Sequence, residues 1–170
     1  MKSKLLLLWL TAAGCLLLGG CNFDVPIIGS PTRVVETRLL GDWAPADKGG
    51  SKSNLMKVRQ LDNFTYIVSC NGDLFRAYHT DLDNVPYVTV QDLETPDRKY
   101  AYFTWQLSPD GAQLTVQPVN ARAIPPNIPD SSAMRRFLSQ NVDNLNLLGE
   151  PVVFNRVKTV LRGPAPAAPR

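Results

Sequence analysis

The chain has 170 residues, 44% of them hydrophobic, and a formal net charge of +3. This length provides one domain with a substantial core. The basic excess is small and forms no arginine-rich run, so nucleic acid is not an expected partner. A phosphate-binding glycine loop and a zinc-type ligand cluster are both missing from the sequence, which argues against the commonest enzyme classes.

The first twenty residues have the pattern of an export signal. Two lysines give a positive start, and an apolar run from Leu5 to Leu18 is broken only by Thr11 and Gly14. The run is about fourteen residues long, short of the roughly 20 that a helix needs to cross a bilayer. A cleaved signal peptide is therefore predicted over residues 1–20.

A motif for lipid attachment follows this run. Leu18-Gly19-Gly20-Cys21 resembles the bacterial lipobox, in which an aliphatic residue and two small residues precede the lipidated cysteine. The resemblance implies cleavage between Gly20 and Cys21 by signal peptidase II, a diacylglyceryl thioether on Cys21, and an amino terminus acylated with a fatty acid such as palmitate. Cys15 is a weaker alternative, because Ala12 stands where the aliphatic residue belongs. An ordinary secreted protein with an incidental Cys21 is the other alternative.

A lipid on Cys21 would hold a soluble domain at a membrane surface. Each buried CH₂ contributes about 0.8 kcal/mol, and two or more chains give stable attachment. In Gram-negative lipoproteins, an aspartate after the lipidated cysteine is the usual signal for retention in the inner membrane, whereas Asn22 occupies that position here. The resemblance therefore implies the outer membrane, with the domain facing the periplasm. A Gram-positive host remains an open alternative.

Processing would change both the charge and the cysteine content. Loss of residues 1–20 removes two of the 18 basic side chains, so the remaining 150 residues carry 16 basic and 15 acidic groups. Cys70 is then the one cysteine besides Cys21, so a lipidated Cys21 predicts a fold without an internal disulfide. Cys70 ends a strand-like segment and is expected to be a buried small hydrophobe. An intermolecular disulfide or a reactive thiol is the alternative.

The mature chain begins without helical or strand periodicity. Residues 21–33 include Pro26 and Pro31, and we predict a lipidated amino terminus and tether there. A dozen extended residues would reach about 40 Å. The β-rich globular domain is predicted over residues 34–162, and residues 163–170, rich in proline and alanine, are predicted to be a flexible tail.

From Leu55 to Val119 the chain has the pattern of an antiparallel β-meander. Asn71-Gly72 is the strongest hairpin signal, and Ser108-Pro109-Asp110-Gly111 is a turn whose proline presets φ. One set of the aromatic side chains of these strands is expected to fill the core, with an apolar cavity or an exposed binding face as alternatives. After the first strand at Trp43, strands are predicted over 54–61, 64–70, 74–80, 87–93, 99–107 and 113–119.

One helix and one further strand complete the predicted domain. Asp130 or Ser131 can cap a helix, and apolar residues then recur at helical spacing, which predicts a helix over Ser131–Asn141. A last strand is predicted over Pro151–Val160. The fold class is therefore mainly β with one late α-helix, an antiparallel meander forming a barrel or half-barrel. An open antiparallel sheet with a packed helix is the alternative.

Two positions sharpen the barrel prediction. Gly41-Asp42-Trp43 opens the domain, and Arg156 lies in the last predicted strand. This pattern resembles the lipocalin and fatty-acid-binding group, in which an arginine near the last strand packs over the tryptophan of a Gly-x-Trp entry. The resemblance implies that Trp43 and Arg156 are structural and close one end of the barrel. Their cation–π contact would contribute roughly 0.5–2 kcal/mol.

The sequence offers few groups for catalysis. His79 is the single histidine, and no third group stands at a spacing that would orient it as a base, so it is expected to be a surface or satisfied residue. Asp81-Leu82-Asp83-Asn84 lacks the glycine and distal glutamate of a calcium loop, so a solvated turn is expected. No catalytic residue, metal or cofactor is predicted, and ligand-binding residues are unassigned.

The expected function is an anchored, non-enzymatic role in the cell envelope. The membrane would be bound through the lipid on Cys21, and the domain would bind a partner such as an envelope protein, or support the envelope. The alternative is a lipocalin-like carrier of an apolar small molecule or lipid. A cavity of roughly several hundred Å³ would favour the carrier, and a filled barrel would favour the interaction role.

Overall fold

A computed structural model describes residues 23–46 and 55–157 of the chain. In these ranges eight strands form a closed antiparallel barrel, in which each strand pairs with the next and the last pairs with the first. The predicted mainly β fold is confirmed, and the sheet closes into a lipocalin-like barrel. The strands are β1 (Gly41–Pro45), β2 (Met56–Gln60), β3 (Tyr66–Cys70), β4 (Asp73–Leu82), β5 (Val85–Asp92), β6 (Tyr100–Leu107), β7 (Gln113–Pro118) and β8 (Val152–Arg156).

Two tight turns set the register of the central strands. Asn71 and Gly72 have φ of 57° and 102°, and Asp83 and Asn84 have φ of 50° and 65°. Positive φ at both central residues gives a turn whose twist matches the flanking strands. The second turn lies later than the sequence suggested, because β4 continues through Leu82 before the chain reverses.

Alternate side chains of the strands fill the barrel. Ala77, Val90 and Ala101 are paired across β4, β5 and β6, and all three are buried. Since strand side chains alternate, Tyr78 and Tyr102, which directly follow these two alanines, point outward. The interior cluster of buried residues comprises Val35, Leu39, Trp43, Val58, Tyr66, Val68, Phe75, Ala77, Val90, Ala101, Phe103, Leu114 and Phe154.

The helix α1 (Ser131–Gln140) covers part of the outer wall. Its amino terminus is capped by Asp130, whose side chain accepts a hydrogen bond of 2.8 Å from the backbone N–H of Ala133. Met134 and Leu138 are buried in a second apolar cluster with tyrosines of β4, β5 and β6. The helix thus packs against the outside of the barrel and contributes no side chain to the interior cluster.

The two ends of the barrel differ. We call the end where the odd-numbered strands begin the closed end, since a 3-10 helix, Thr37–Leu39, lies there and buries Leu39 in the interior cluster. The other end, where the even-numbered strands begin, is called the opposite rim. A second 3-10 helix, Ala121–Ala123, follows β7 at this rim.

Several predicted features lie outside the described residues. They are the signal peptide (1–20), the cleavage site at Gly20 and Cys21, and the tail (163–170). Among the described residues, no helix is long and apolar enough to cross a membrane.

Candidate functional site

Arg156 and Trp43 meet at the closed end. They are register partners in β8 and β1, and the guanidinium carbon of Arg156 lies 4.2 Å from the centroid of the Trp43 ring. The guanidinium also donates to three backbone carbonyls, those of Gly111 and Leu40, both at 2.8 Å, and that of Arg38. One side chain therefore ties β8 to the turn before β7 and to the 3-10 helix.

Gly41 makes room for this arginine. Its φ is +141°, and a Cβ at this position would lie 2.8 Å from Nη1 of Arg156. Only glycine adopts that conformation freely and leaves the space empty. The Gly-x-Trp pattern thus has a local physical cause: one residue admits the guanidinium and the other receives it on its ring.

The segment before β1 seals the closed end. The N–H of Val35 donates to Asn63 O at 2.9 Å, and the N–H of Glu36 donates to the Tyr66 hydroxyl at 2.7 Å. The indole N–H of Trp43 donates to Leu39 O at 2.9 Å. Since every one of these bonds joins the segment to a barrel strand or its hairpin, the closed end is a fixed part of the fold.

The barrel encloses a cavity of about 100 Å³. Its lining consists of hydrophobic residue types, with aromatic rings from β3, β6 and β8. Such a volume is well below the roughly 300–1,000 Å³ of ordinary small-molecule sites. The lining residues are Leu39, Met56, Val58, Tyr66, Val68, Cys70, Ala77, Val88, Val90, Phe103, Trp105, Leu114, Val116 and Phe154.

His79 is fully buried inside the barrel. Its ring stacks on Trp105 at 5.9 Å between centroids and meets Tyr66 edge-on at 5.5 Å. Nε2 donates to Val34 O at 2.8 Å, so Nδ1 carries no proton in the neutral ring and is an acceptor. Within the described residues, neither Nδ1 nor the indole N–H of Trp105 has a hydrogen-bond partner. His79 is therefore half satisfied, and it lies in the core and not on the surface.

Acid should destabilise the fold through His79. Burial lowers the pKa of His79 from its usual 6.5, with a smaller contribution from Arg33. The hydrogen bond to Val34 O opposes the shift most, and Asp81 and Glu36 oppose it less. The unfolded chain therefore binds a proton at a pH where the folded chain does not, and stability falls as pH drops below 6.5, by at most about 1.4 kcal/mol per pH unit. Urea unfolding between pH 7 and 5.5 measures this slope. The variant His79→Gln should flatten it, and an equal slope in both proteins would contradict this role.

A wall of tyrosines on the outer face holds the amino-terminal segment. Tyr78 donates to Ile28 O at 3.0 Å, and Tyr102 donates to Val25 O. Phe23 stacks on Tyr102 with ring centroids 4.5 Å apart and planes 8° from parallel. Burial raises the pKa of Tyr78 to about 12 and also raises that of Tyr102, so both hydroxyls remain donors at neutral pH.

The chain from Phe23 onward is thus part of the packed structure and not a free tether. Phe23 pairs with Tyr100, with N–H···O bonds of 3.1 and 2.8 Å, where β7 no longer covers the start of β6. Ile27 is completely buried, and Ile28 nearly so. The expected reach of about 40 Å does not apply to residues whose side chains and backbone bind the barrel.

Exposed apolar side chains gather near the hairpin between β2 and β3. Val34 is 63% exposed, Leu61 is 53% exposed and Phe64 is 39% exposed. They lie around Asn63, whose carbonyl binds the backbone next to Val34. We call these three residues the closed-end patch. Single exposed apolar residues are common, whereas a group suggests a contact surface.

Cys70 ends β3 with only 3% of its surface exposed. The expected burial is present, and the sulfur takes part in a disulfide. The prediction that the fold lacks a disulfide is therefore wrong. The chain also contains Cys15 and Cys21. A thioether on Cys21 would occupy its sulfur, so in a processed and lipidated chain a disulfide of Cys70 would have to join a second molecule.

The described residues bring together no catalytic constellation. Across 23–46 and 55–157, no group of three His, Cys, Asp or Glu side chains could hold a metal ion. Asp81 forms an ion pair with Arg33, and His79 points into the apolar core. Sequence reasoning missed the inward position of His79, although Phe75 and Ala77 share its face at a period of two.

In comparisons with protein-family models, curated proteins and solved structures, nothing matches the chain.

Proposed function

We propose that the chain is a bacterial envelope lipoprotein, anchored by lipid on Cys21 after cleavage behind Gly20, and that its barrel works without catalysis. In this proposal the domain binds an envelope partner or supports the envelope. The lipobox Leu18-Gly19-Gly20-Cys21 supports the anchor, and Asn22 supports the outer membrane with the domain facing the periplasm.

The filled barrel interior is the observation that favours binding through the outer surface. Side chains leave a cavity of only about 100 Å³, so a lipid-sized molecule has no room inside the barrel. A domain that encloses no such ligand can bind a partner through its outer surface. The closed-end patch offers apolar surface there, since Val34, Leu61 and Phe64 are each more than a third exposed.

A carrier of a small apolar molecule is the second candidate. The interior is lined by hydrophobic residues, and an apolar cavity of about 150 Å³ in another protein stays dry and binds benzene. At about 100 Å³ the present cavity is smaller than that one, so it suits only a molecule smaller than benzene unless the interior repacks. Transport of a fatty acid would require the interior to repack around the ligand.

Native mass spectrometry of the detergent-extracted protein separates the two functions. We expect the mass of the chain with its covalent lipid and no further bound lipid. A one-to-one lipid adduct would favour the carrier, provided that the adduct disappears in Val90→Phe, which fills the cavity from β5. An adduct retained in that variant would indicate binding outside the barrel. The exposed substitution Gln140→Ala on α1 is the matched control.

A further inference from the structure

The attachment of Phe23 to the barrel fixes where a lipid anchor would leave the domain. Phe23 is held by two backbone hydrogen bonds to Tyr100 and by its ring contact with Tyr102. Cys21 precedes it by two residues, and consecutive Cα atoms are about 3.8 Å apart, so Cys21 Cα lies within about 8 Å of Phe23 Cα in any conformation. A lipid on Cys21 therefore attaches close to the first residue of β6.

This attachment cannot swing far from the barrel. Ile27 in the amino-terminal segment is fully buried. The hydroxyls of Tyr78 and Tyr102 donate hydrogen bonds to two backbone carbonyls of the same segment. Asp24, directly after Phe23, lies 3.6 Å from the ammonium of Lys99. Several independent contacts would have to break before the amino terminus could extend as a tether.

The start of β6 belongs to the opposite rim. The loop of residues 93–99 lies there, and the backbone N–H of Leu93 donates to Leu74 O at 3.2 Å, which joins this loop to the hairpin between β3 and β4. Leu74 is 38% exposed, and most of the loop is exposed. The hairpin between β2 and β3 lies at the closed end, about 25–30 Å away along strands of eight to ten residues.

We propose that the opposite rim, around residues 93–99 and Leu74, rests on the lipid headgroups, and that the closed-end patch points away from the membrane. This orientation rests on the proposed lipid anchor at Cys21. It follows from the short covalent distance between Cys21 and Phe23 together with the fixed position of Phe23. The membrane is the partner of the rim, and the closed-end patch is left free for an envelope partner.

Hydrogen–deuterium exchange tests the orientation with the processed full chain. The protein is placed in vesicles of phosphatidylethanolamine and phosphatidylglycerol and compared with the same protein in detergent micelles. We expect slower exchange in vesicles for the amides of residues 93–99, and equal rates for residues 61–65 in the closed-end hairpin. Ten inserted Gly and Ser residues between Asn22 and Phe23 should abolish the slower exchange while keeping the anchor.

The outcomes separate the orientation from the anchor. Slower exchange at residues 61–65, or none at either end, overturns the orientation while the protein remains lipidated and vesicle-bound. Equal protection with and without the insertion also overturns it, because the short connection would then have no role. A protein without covalent lipid that stays off the vesicles refutes the proposed function itself. Unchanged exchange in the barrel strands shows that the insertion variant is folded.

Discussion

Replacing Arg156 with alanine is expected to lower the free energy of unfolding by about 3 kcal/mol, measured from urea unfolding curves. The substitution removes the donor to three carbonyls and the cation over the Trp43 ring. A hydrogen bond from a charged donor contributes about 1.5–3 kcal/mol, and the cation–π contact adds about 0.5–2 kcal/mol. Because Arg156 is half-buried, water replaces part of what is lost.

Two further variants decide whether the geometry of the guanidinium matters. Lysine at position 156 keeps the charge but offers no planar fork, so Arg156→Lys should recover less than half of the loss. Arg135→Ala removes an exposed arginine from α1 and should change stability by less than about 0.5 kcal/mol. Equal effects of Arg156→Ala and Arg135→Ala would show that Arg156 does not hold the closed end.

The meander was predictable because its signals are local. Asn71-Gly72 favours positive φ at both turn positions, and the alternation in β6 marks which residues face inward. Ala101 and Phe103, two residues apart on one face of this strand, are both buried in the interior cluster. Closure of the barrel is a different matter, because the pairing of β1 with β8 joins segments at opposite ends of the domain and no local pattern specifies it.

The amino-terminal segment was predicted to be a tether because its prolines were given more weight than its apolar alternation. Pro26 and Pro31 suggested a tether, yet Phe23, Val25 and Ile27 alternate with a period of two. In the structure this segment lies along the tyrosine wall of the barrel. A partly apolar extended segment packs only on a surface that the rest of the fold provides. The place where it packs could therefore not be predicted from its own residues.

The burial of the outward tyrosines could not be predicted from the strand pattern. Tyr102 lies opposite in phase to Phe103, so it belongs to the other face of the strand, yet it is 1% exposed in the structure. The amino-terminal segment and α1 cover it, forming a second apolar cluster outside the barrel. Alternation along a strand reports only which side of the sheet a residue occupies. Whether that side is covered depends on distant segments.

The second large effect is expected from Cys21. With lipid in place the protein should sediment almost entirely with membranes, since two or more acyl chains anchor a protein stably. Cys21→Ser removes the sulfur that forms the thioether. Combined with an Ala-x-Ala site introduced before position 21, so that an ordinary signal peptidase still removes residues 1–20, it should move the protein almost entirely to the soluble fraction. Cys15→Ser changes a cysteine within the predicted signal and should leave the protein with the membranes. Western blotting of membrane and soluble fractions measures both.

An opposite pattern would change the interpretation of the amino terminus. If Cys15→Ser released the protein and Cys21→Ser did not, cleavage and lipidation would lie at Cys15. If neither variant left the membrane, the chain would be held by something other than lipid on a cysteine.

The most direct test of the lipoprotein proposal is the intact mass of the protein isolated from the envelope, followed by fragmentation of its amino-terminal peptide. We predict that the chain begins at Cys21 and carries a diacylglyceryl group on the sulfur, with or without a fatty acid on the amine. A chain that begins elsewhere, or that carries Cys21 without lipid as a thiol or joined to Cys70, would contradict the proposal.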